Sequence, residues 1–400
     1  MFQRVRRGKA GAVAMGLAAA LLVAPVVLAV PAAAQELTIW TFWSEEWLRP
    51  ALDAFEEAHP GVKVKHEQLT WENGLDKITV AIAARNGPDV VELGSTWMPQ
   101  FMGAGALAPI DAGELASDLT GLDPVTKSGE VYGLPWFGTA NVVYYNKDLF
   151  ARAGIEKVPT TWDELLDASR RIHALDPDLY GYSIKIGGRF TTWQKFYPFV
   201  WSNGGRTLND DWTQARVTEK PFVDALAYYQ ELAASSLVGT QEEVRQAFYL
   251  GKVGMIFDGT LNLEKDAPGL EYGVFLLPAP AGAKSVVFSG ADYLVVWSGS
   301  KQKALAGELA KALVTGNLIS SHIPSLISFS RSDQQAHLRA NPGIALFIEA
   351  MAEATHPPMH PAWEEMATAV TEAVEGLLLG QFSSPQEALE YAQDAIEPLL

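Results

Sequence analysis

Residues 37–69 read LTIWTFWSEEWLRPALDAFEEAHPGVKVKHEQL, and this stretch decides the fold class. Leu37 to Phe42 is a short apolar run, Trp47, Ala51, Phe55 and Ala58 recur at helical spacing, and Val62 to Leu69 alternates with period two. The order is strand, helix, strand. Asn73 to Arg85 repeats the helical period, Asn86-Gly87-Pro88 ends it, and Asp89 to Leu93 opens a third strand. Such alternation predicts an α/β chain with a parallel sheet covered by helices on both faces. Ligands of such sheets bind beyond the carboxyl ends of the strands, here the loops that begin at Trp43, Leu69 and Gly94.

A second α/β region follows. Asn141 to Tyr145 reads as a strand, and Thr161 with Glu164 forms a capping box that opens the helix Trp162 to Leu175. Strands are predicted at Gly181 to Ile184, Val253 to Phe257 and Tyr272 to Leu276, with helices around Trp193 to Asn203 and Lys220 to Ser235. Pro278-Ala279-Pro280-Ala281-Gly282 marks a crossover. Strand Asp292 to Trp297 and helix Lys301 to Thr315 come next, then three further helices, the last opened by Ser384-Pro385-Gln386-Glu387.

Composition limits the partners. The chain has 400 residues, 48% hydrophobic and 19% charged, enough to bury the cores of about two domains. Its formal charge is −17, and the first 34 residues hold four basic side chains (Arg4, Arg6, Arg7, Lys9) and no acid. The remainder is thus more acidic still, and such a surface repels phosphate backbones and anionic lipid, so no nucleic-acid partner is expected. Cysteine is absent, which removes disulfides, thiolate nucleophiles, thiol metal ligands and lipidated cysteine. Tryptophan, at 12, outnumbers Met at 8 and His at 7. Indole faces left in loops call for something to stack on them.

The N-terminus reads as an export leader. Met1 to Lys9 is basic, Ala10 to Val30 is uncharged and mostly apolar, and Ala32-Ala33-Ala34 offers the small residues accepted before cleavage at Gln35. Residues 10–30 approach the roughly 20 that span a bilayer, so a retained anchor is the competing reading, weakened by Pro25 and Pro31. Gly8-Lys9 after Arg6-Arg7 lacks the apolar residue of a twin-arginine signal. A periplasmic or extracellular protein that is not a lipoprotein is expected.

Several pieces then occur in a telling order. Leu37-Thr38-Ile39-Trp40, Phe55-Glu56-Glu57-Ala58-His59-Pro60-Gly61-Val62-Lys63-Val64, Gly87-Pro88-Asp89-Val90-Val91, Gly103 to Leu107, Tyr132-Gly133-Leu134-Pro135, Tyr145-Asn146-Lys147-Asp148-Leu149-Phe150, Pro159-Thr160-Thr161-Trp162-Asp163-Glu164-Leu165 and Tyr272-Gly273-Val274 together span nearly all of the mature chain. In that order they resemble the extracellular solute-binding proteins of carbohydrate ABC importers, the maltose-binding-protein-like family. The resemblance implies the two-lobed α/β periplasmic-binding-protein fold, with discontinuous lobes joined by crossing strands near Val142 to Tyr145 and Gly273 to Leu277. The leader would be 1–34, the N-terminal lobe 35–142 with 277–340, and the C-terminal lobe 143–276 with 341–400. A sugar would sit in the cleft, the lobes would close on it, and the loaded monomer would meet two permease subunits with their ATPase. No cofactor and no catalysis are implied.

A pyranose needs an apolar plate for its C–H face and polar groups for its hydroxyls. Carried over by position, Trp43-Ser44-Glu45 and Ser95-Thr96-Trp97 occupy the ligand loops of the first lobe. Trp193-Gln194 falls at the stacking aromatic of the second, and Asp258-Gly259 stands in a loop that in the family carries an aromatic. Gly290-Ala291-Asp292 resembles the turn back into the first lobe. Thr96, Trp97 and Leu93 replace the Asp, Arg and Trp of the maltose binder, which tells against maltose itself. Trp71, Trp136, Thr139 and Trp363 complete the candidate ligand set.

Each candidate has a plainer alternative. Trp43, Trp71, Trp136 and Trp193 face either the cleft or the packing of a lobe, Glu45 is also a first-turn acid favoured by the helix dipole, and Asp292 also suits a backbone cap. Trp40 and Trp297 read as core, and Trp162, which follows a cap, as a helix staple. His356 and His360 have the i, i+4 spacing of a zinc pair, but Pro357, Pro358 and Pro361 forbid the helix, so no metal is assigned. No nucleotide-binding loop or nucleophile elbow appears. Two alternatives stay open. Glu45 with Asp292 would suit a glycosidase if they met across the cleft. The same fold would hold a quaternary amine with Glu45, Glu92 or Asp292, or a glycerol phosphate ester with Lys185, Arg189 or Lys195.

Overall fold

The computed structural model describes residues 35–259, 261–315, 326–340, 344–352 and 354–400. The expected leader, residues 1–34, and Thr260 lie outside them. The chain runs in four segments. The first contains β1 (Gln35–Thr41), α1 (Glu45–Ala58), β2 (Val62–Gln68), α2 (Gly74–Ala83), β3 (Val90–Gly94), a 3-10 turn (Ser95–Trp97), α3 (Met98–Gly103), β4 (Leu107–Ala108), β5 (Thr126–Lys127), β6 (Glu130–Val131) and β7 (Leu134–Ala140). The second contains β8 (Val142–Asn146), α4 (Lys147–Arg152), α5 (Trp162–His173), β9 (Tyr180–Lys185), α6 (Thr191–Ser202), α7 (Lys220–Ala233), β10 (Ser236–Gly239), α8 (Gln241–Tyr249), β11 (Val253–Asp258), α9 (Leu263–Asp266) and β12 (Tyr272–Phe275). The third contains β13 (Ser289–Trp297), α10 (Lys303–Leu313), β14 (Leu326–Ser328), α11 (Arg331–Ala340) and α12 (Ala345–Ala352), and the fourth α13 (Trp363–Leu378) and α14 (Pro385–Ile396).

Among the described residues two large sheets result, one per lobe, with β5 and β6 pairing as a separate two-stranded ribbon. The first has the order β14-β7-β13-β3-β1-β2 with β4 beside β13, and the second the order β10-β9-β11-β8-β12. Parallel pairing holds for β1 with β2 and β3, and for β9 with β10 and β11. The wholly parallel sheet expected from local alternation does not form. β13 runs antiparallel to both β3 and β7, and β8 runs antiparallel to β11 and β12. The cause is connectivity: these strands enter their sheets from the other lobe, so no right-handed helical crossover fixes their direction. Between β7 and β8 the chain passes from one sheet to the other across Asn141 alone.

Strand alternation sorts the first lobe into two cores. Leu37, Ile39, Val90, Leu294 and Val296 face one side, covered by Leu48, Leu52 and Phe55 of α1 and by Leu309 and Leu313 of α10. Val91, Leu93, Tyr293 and Val295 face the other, covered by Leu75, Ile78, Met98 and Phe101. Each such fully buried side chain contributes about 1.5–3 kcal/mol. Gly61, at φ +94°, makes the turn from α1 into β2 in a conformation that favours glycine. The second lobe has a single larger core around Phe196, Tyr197, Phe222 and Tyr229, roofed by α13. Its helix α5 opens with the expected capping box, as Thr161 Oγ1 accepts from the Glu164 N–H and the Glu164 carboxylate accepts from the Thr161 N–H. Among the described residues no helix is long and apolar enough to cross a membrane.

Candidate functional site

Period two places Glu92 on the same face of β3 as Val90, inside the first lobe, where it is fully buried. A carboxyl group there requires partners. The Phe42 N–H donates to Glu92 Oε2 at 2.8 Å and the Trp43 indole N–H to Oε1 at 3.0 Å. On the adjacent strand Leu294 lies opposite Glu92 and Asp292 opposite Gly94, so Glu92 and Asp292 are diagonal neighbours on one face. Burial, then the charge of Asp292, raises the pKa of Glu92, while the two N–H donors pull it down. Burial raises Asp292 to about 8, and its carboxyl group has no hydrogen-bond partner among the described residues. The pair lies at the carboxyl end of β3.

Aromatic rings surround that end. Trp43 is half-buried, packs near Trp47 at 5.8 Å and meets Phe137 edge-on at 5.0 Å. Trp71, 37% exposed, stacks on Phe42 with centroids 3.9 Å apart and 10° between planes. A Cβ on Gly94 would stand in ordinary contact, 3.4 Å from the Trp71 ring, so the indole lies beside the strand end that pairs with Asp292. Ser95 Oγ accepts from the Ala291 N–H at 3.4 Å. Thr139 Oγ1, on β7 opposite Gly290, and Ser44 Oγ are buried without a partner among the described residues. Trp43, Ser44, Trp71, Ser95, Thr139, Gly290, Ala291 and Asp292 of the sequence-derived set thus belong to loops and strand ends of the first sheet.

Other candidates go elsewhere. Glu45 is exposed and binds His66 Nδ1 at 2.6 Å and Arg49 Nη1 at 3.4 Å, the surface role of a first-turn helix acid. Trp97, Trp136, Trp193 and Trp363 are core residues, each at most 3% exposed. Trp193 meets Phe288 at 5.1 Å and Trp363 at 5.4 Å, both edge to face, which takes its ring faces out of solvent. The cause is that α6, which opened the expectation of a cleft-facing stack, lies under α13 and turns Trp193 inward. Gln194, the next residue, stays partly accessible. Asp258 accepts from Lys185 Nζ at 2.5 Å and from Arg245 Nε and Nη2 at 2.8 and 2.9 Å, and its neighbour Gly259 donates back to it. Burial pushes its pKa up, but Lys185, Arg245 and Lys195 more than offset this and hold it well below the usual carboxylate range. Asp258 is therefore the anchor of a buried charge cluster. Lys195 completes the cluster, donating to Asn141 Oδ1 at 2.6 Å, with its own pKa depressed by burial and by Lys185.

Thr96 reaches into the other lobe. Its Oγ1 donates to Glu364 Oε1 on α13 at 2.6 Å. From sequence Glu364 with Glu365 reads as a solvated face, which the burial of Glu364 corrects; Phe190 carries no assignment, and Glu92 enters only as a counter-charge for an amine. The signal for Glu92 is an acid within Val90-Val91-Glu92-Leu93, since a charge inside a buried strand requires a reason. No comparable signal marks Glu364, one of two acids in a helix's first turn. An open cavity of ≈ 730 Å³ lies near the amino end of β3, between Ile82, Arg85, Phe101 and Trp297, remote from this chemistry.

Comparison with known proteins closes the identification. The profile of the bacterial extracellular solute-binding protein family matches residues 43–315. The diacetylchitobiose-binding protein DasA of Streptomyces coelicolor is 28% identical over 361 residues, covering 83% of this chain and 81% of that protein. The sn-glycerol-3-phosphate-binding periplasmic protein UgpB of Salmonella typhimurium is 26% identical over 388 residues, covering 86% and 87%. An ABC transporter solute-binding protein from Thermotoga lettingae TMO, solved with alpha-D-tagatose, superposes with a TM-score of 0.81 at 25% identity, covering 91% of this chain and 99% of that one. The chain belongs to the bacterial extracellular solute-binding protein family and has the two-lobed fold of its maltose-binding-protein-like sugar receptors.

Proposed function

We propose that the protein is the receptor subunit of an ABC importer, binds a sugar or small oligosaccharide between its lobes and delivers it to two permease subunits with their ATPase. The lobes would be 35–142 with 277–340 and 143–276 with 341–400, and the protein would work as a non-catalytic monomer after removal of residues 1–34. The observation that carries the reading is Asp292. Its carboxyl group has no partner among the described residues, sits diagonal to Glu92, and belongs to the residue paired with Gly94, beside which the exposed indole of Trp71 lies. A polyol hydroxyl answers the carboxyl group and a pyranose C–H face answers the indole. The sugars named for DasA and for the Thermotoga lettingae protein support this ligand class.

Thermal-shift screening of the exported protein against mono- and oligosaccharides tests it, because a bound ligand raises the melting temperature by mass action. A saccharide that raises Tm in a concentration-dependent way supports the reading, and a panel without any shift overturns it. Looking for new reducing ends after incubation with oligosaccharides separates a receptor from a glycosidase. The likeness to UgpB and the buried cations Lys185, Lys195 and Arg245 favour a glycerol phosphate ester as the second reading. Against it, Glu92 and Asp292 would repel a phosphate, so sn-glycerol 3-phosphate belongs in the same panel as the discriminating ligand.

A further inference from the structure

Three contacts join the lobes away from Asp292. Thr96 on the first lobe donates to Glu364 on the second at 2.6 Å. Arg189 Nη1 of the second lobe pairs with Asp76 Oδ1 of α2 at 3.2 Å. Phe190, next to Arg189, packs against the core of the first lobe with its ring 5.8 Å from Trp97, and Met359 from the loop before α13 joins the same cluster. Glu364 itself is buried. Separation of the lobes would remove Thr96 and Trp97 from it and return it to water.

We infer that Glu364 is a positioning residue for ligand binding, a carboxyl group whose burial against Thr96 accompanies lobe closure and makes closure sensitive to protons. Burial raises its pKa to about 7, while the Thr96 hydroxyl and the Arg189 guanidinium pull it down, Glu365 pushes it up and the Trp97 side chain lowers it. Among the described residues the charges that chiefly shift it, Arg189 and Glu365, both belong to the second lobe, and Asp76 of the first is engaged by Arg189. His360, in the loop before α13, is itself held below its ordinary pKa by burial, against the pull of Glu365. In the separated state Glu364 returns toward the ordinary carboxylate value, so closing takes up a proton between that value and about 7. Acid therefore favours the closed arrangement, and raising the pH through about 7 favours the open one, by at most about tenfold per pH unit.

The consequence for affinity rests on the receptor reading above, but the contact is testable without ligand. The chain has no cysteine, so Val80→Cys on α2 and Leu379→Cys after α13, both exposed, provide two unique spin-label sites, one on each lobe. Pulsed electron paramagnetic resonance on the ligand-free protein would read the distance between them from pH 5 to 9. The short population is expected to give way to a longer one as pH rises through about 7, and Glu364→Gln is expected to keep the short population throughout. Thr96→Val, which deletes the donor, should favour the long distance at every pH while keeping the pH dependence. Distances that ignore pH in the parent, or that follow the same curve in Glu364→Gln, overturn the inference. A saccharide panel without hits would instead overturn the ligand class and leave this result standing.

Discussion

The indole N–H of Trp43 donates to Glu92 Oε1 at 3.0 Å, tying an aromatic ring at the mouth of the first lobe to an acid on a core strand. Trp43→Phe keeps the ring and deletes the donor. A buried acceptor that loses a charge-assisted bond costs about 1–3 kcal/mol. The loss is expected to grow as pH rises and Glu92 ionises, because the donor acts on the ionised form, and urea unfolding across a series of pH values checks it.

Asp292 carries a linked prediction. Its pKa in the folded protein is raised to about 8, so the stability it allows is full below its ordinary value near 4 and is lost as pH rises through about 8. Asp292→Asn removes the charge. The variant should match the parent near pH 4 and exceed it near pH 9, by about 1.4 kcal/mol for each unit of the shift at most. Urea midpoints across that range decide it, and the same variant should lose affinity for any saccharide found in the panel.

Trp193 and Trp71 should separate stability from binding. Trp193 is fully buried, and Trp193→Ala is expected to cost about 3–5 kcal/mol in unfolding free energy. Trp71 is 37% exposed, so Trp71→Ala should cost far less stability and should instead weaken saccharide binding by about 1–3 kcal/mol. Paired calorimetric titration and thermal unfolding of both variants measure this, and equal effects of the two on binding would reject the assignment.

Asp258 neutralises Lys185 and Arg245 beneath the surface of the second lobe. Asp258→Ala leaves buried cations facing one another, with an expected loss of about 3–5 kcal/mol. Arg206→Ala breaks the exposed pair with Asp210 and should change stability by about 1 kcal/mol at most. Guanidinium unfolding of the two variants gives the contrast.

Much of the architecture was readable from period alone. Val62 to Leu69 and Asp89 to Leu93 emerged as strands because their alternation or apolar run is local, and Thr161 announced α5 because a capping box is a four-residue signal. Strand direction was not local. β13 looks like any buried strand, and its antiparallel pairing with β3 follows from where the chain had been for the preceding segment. The site divided in the same way. Trp71 follows β2 directly, so its place at a strand end could be read from sequence, whereas the burial of Trp193 depends on Phe288 and on Trp363, 170 residues later. Thr96 was found as a loop residue but its partner Glu364 was not, because nothing near either position encodes their meeting.

The single residue Asn141 between β7 and β8 restricts how the halves can travel. One residue spans at most about 3.6 Å, so at this strap neither half can slide far past the other, and the freedom left is rotation about a nearly fixed point. A longer guest must then be met by a wider angle and not by sideways displacement. Guests that differ in length would leave the outer rims separated by different amounts, and a membrane partner that touches both rims would feel the dimensions of the cargo without touching it.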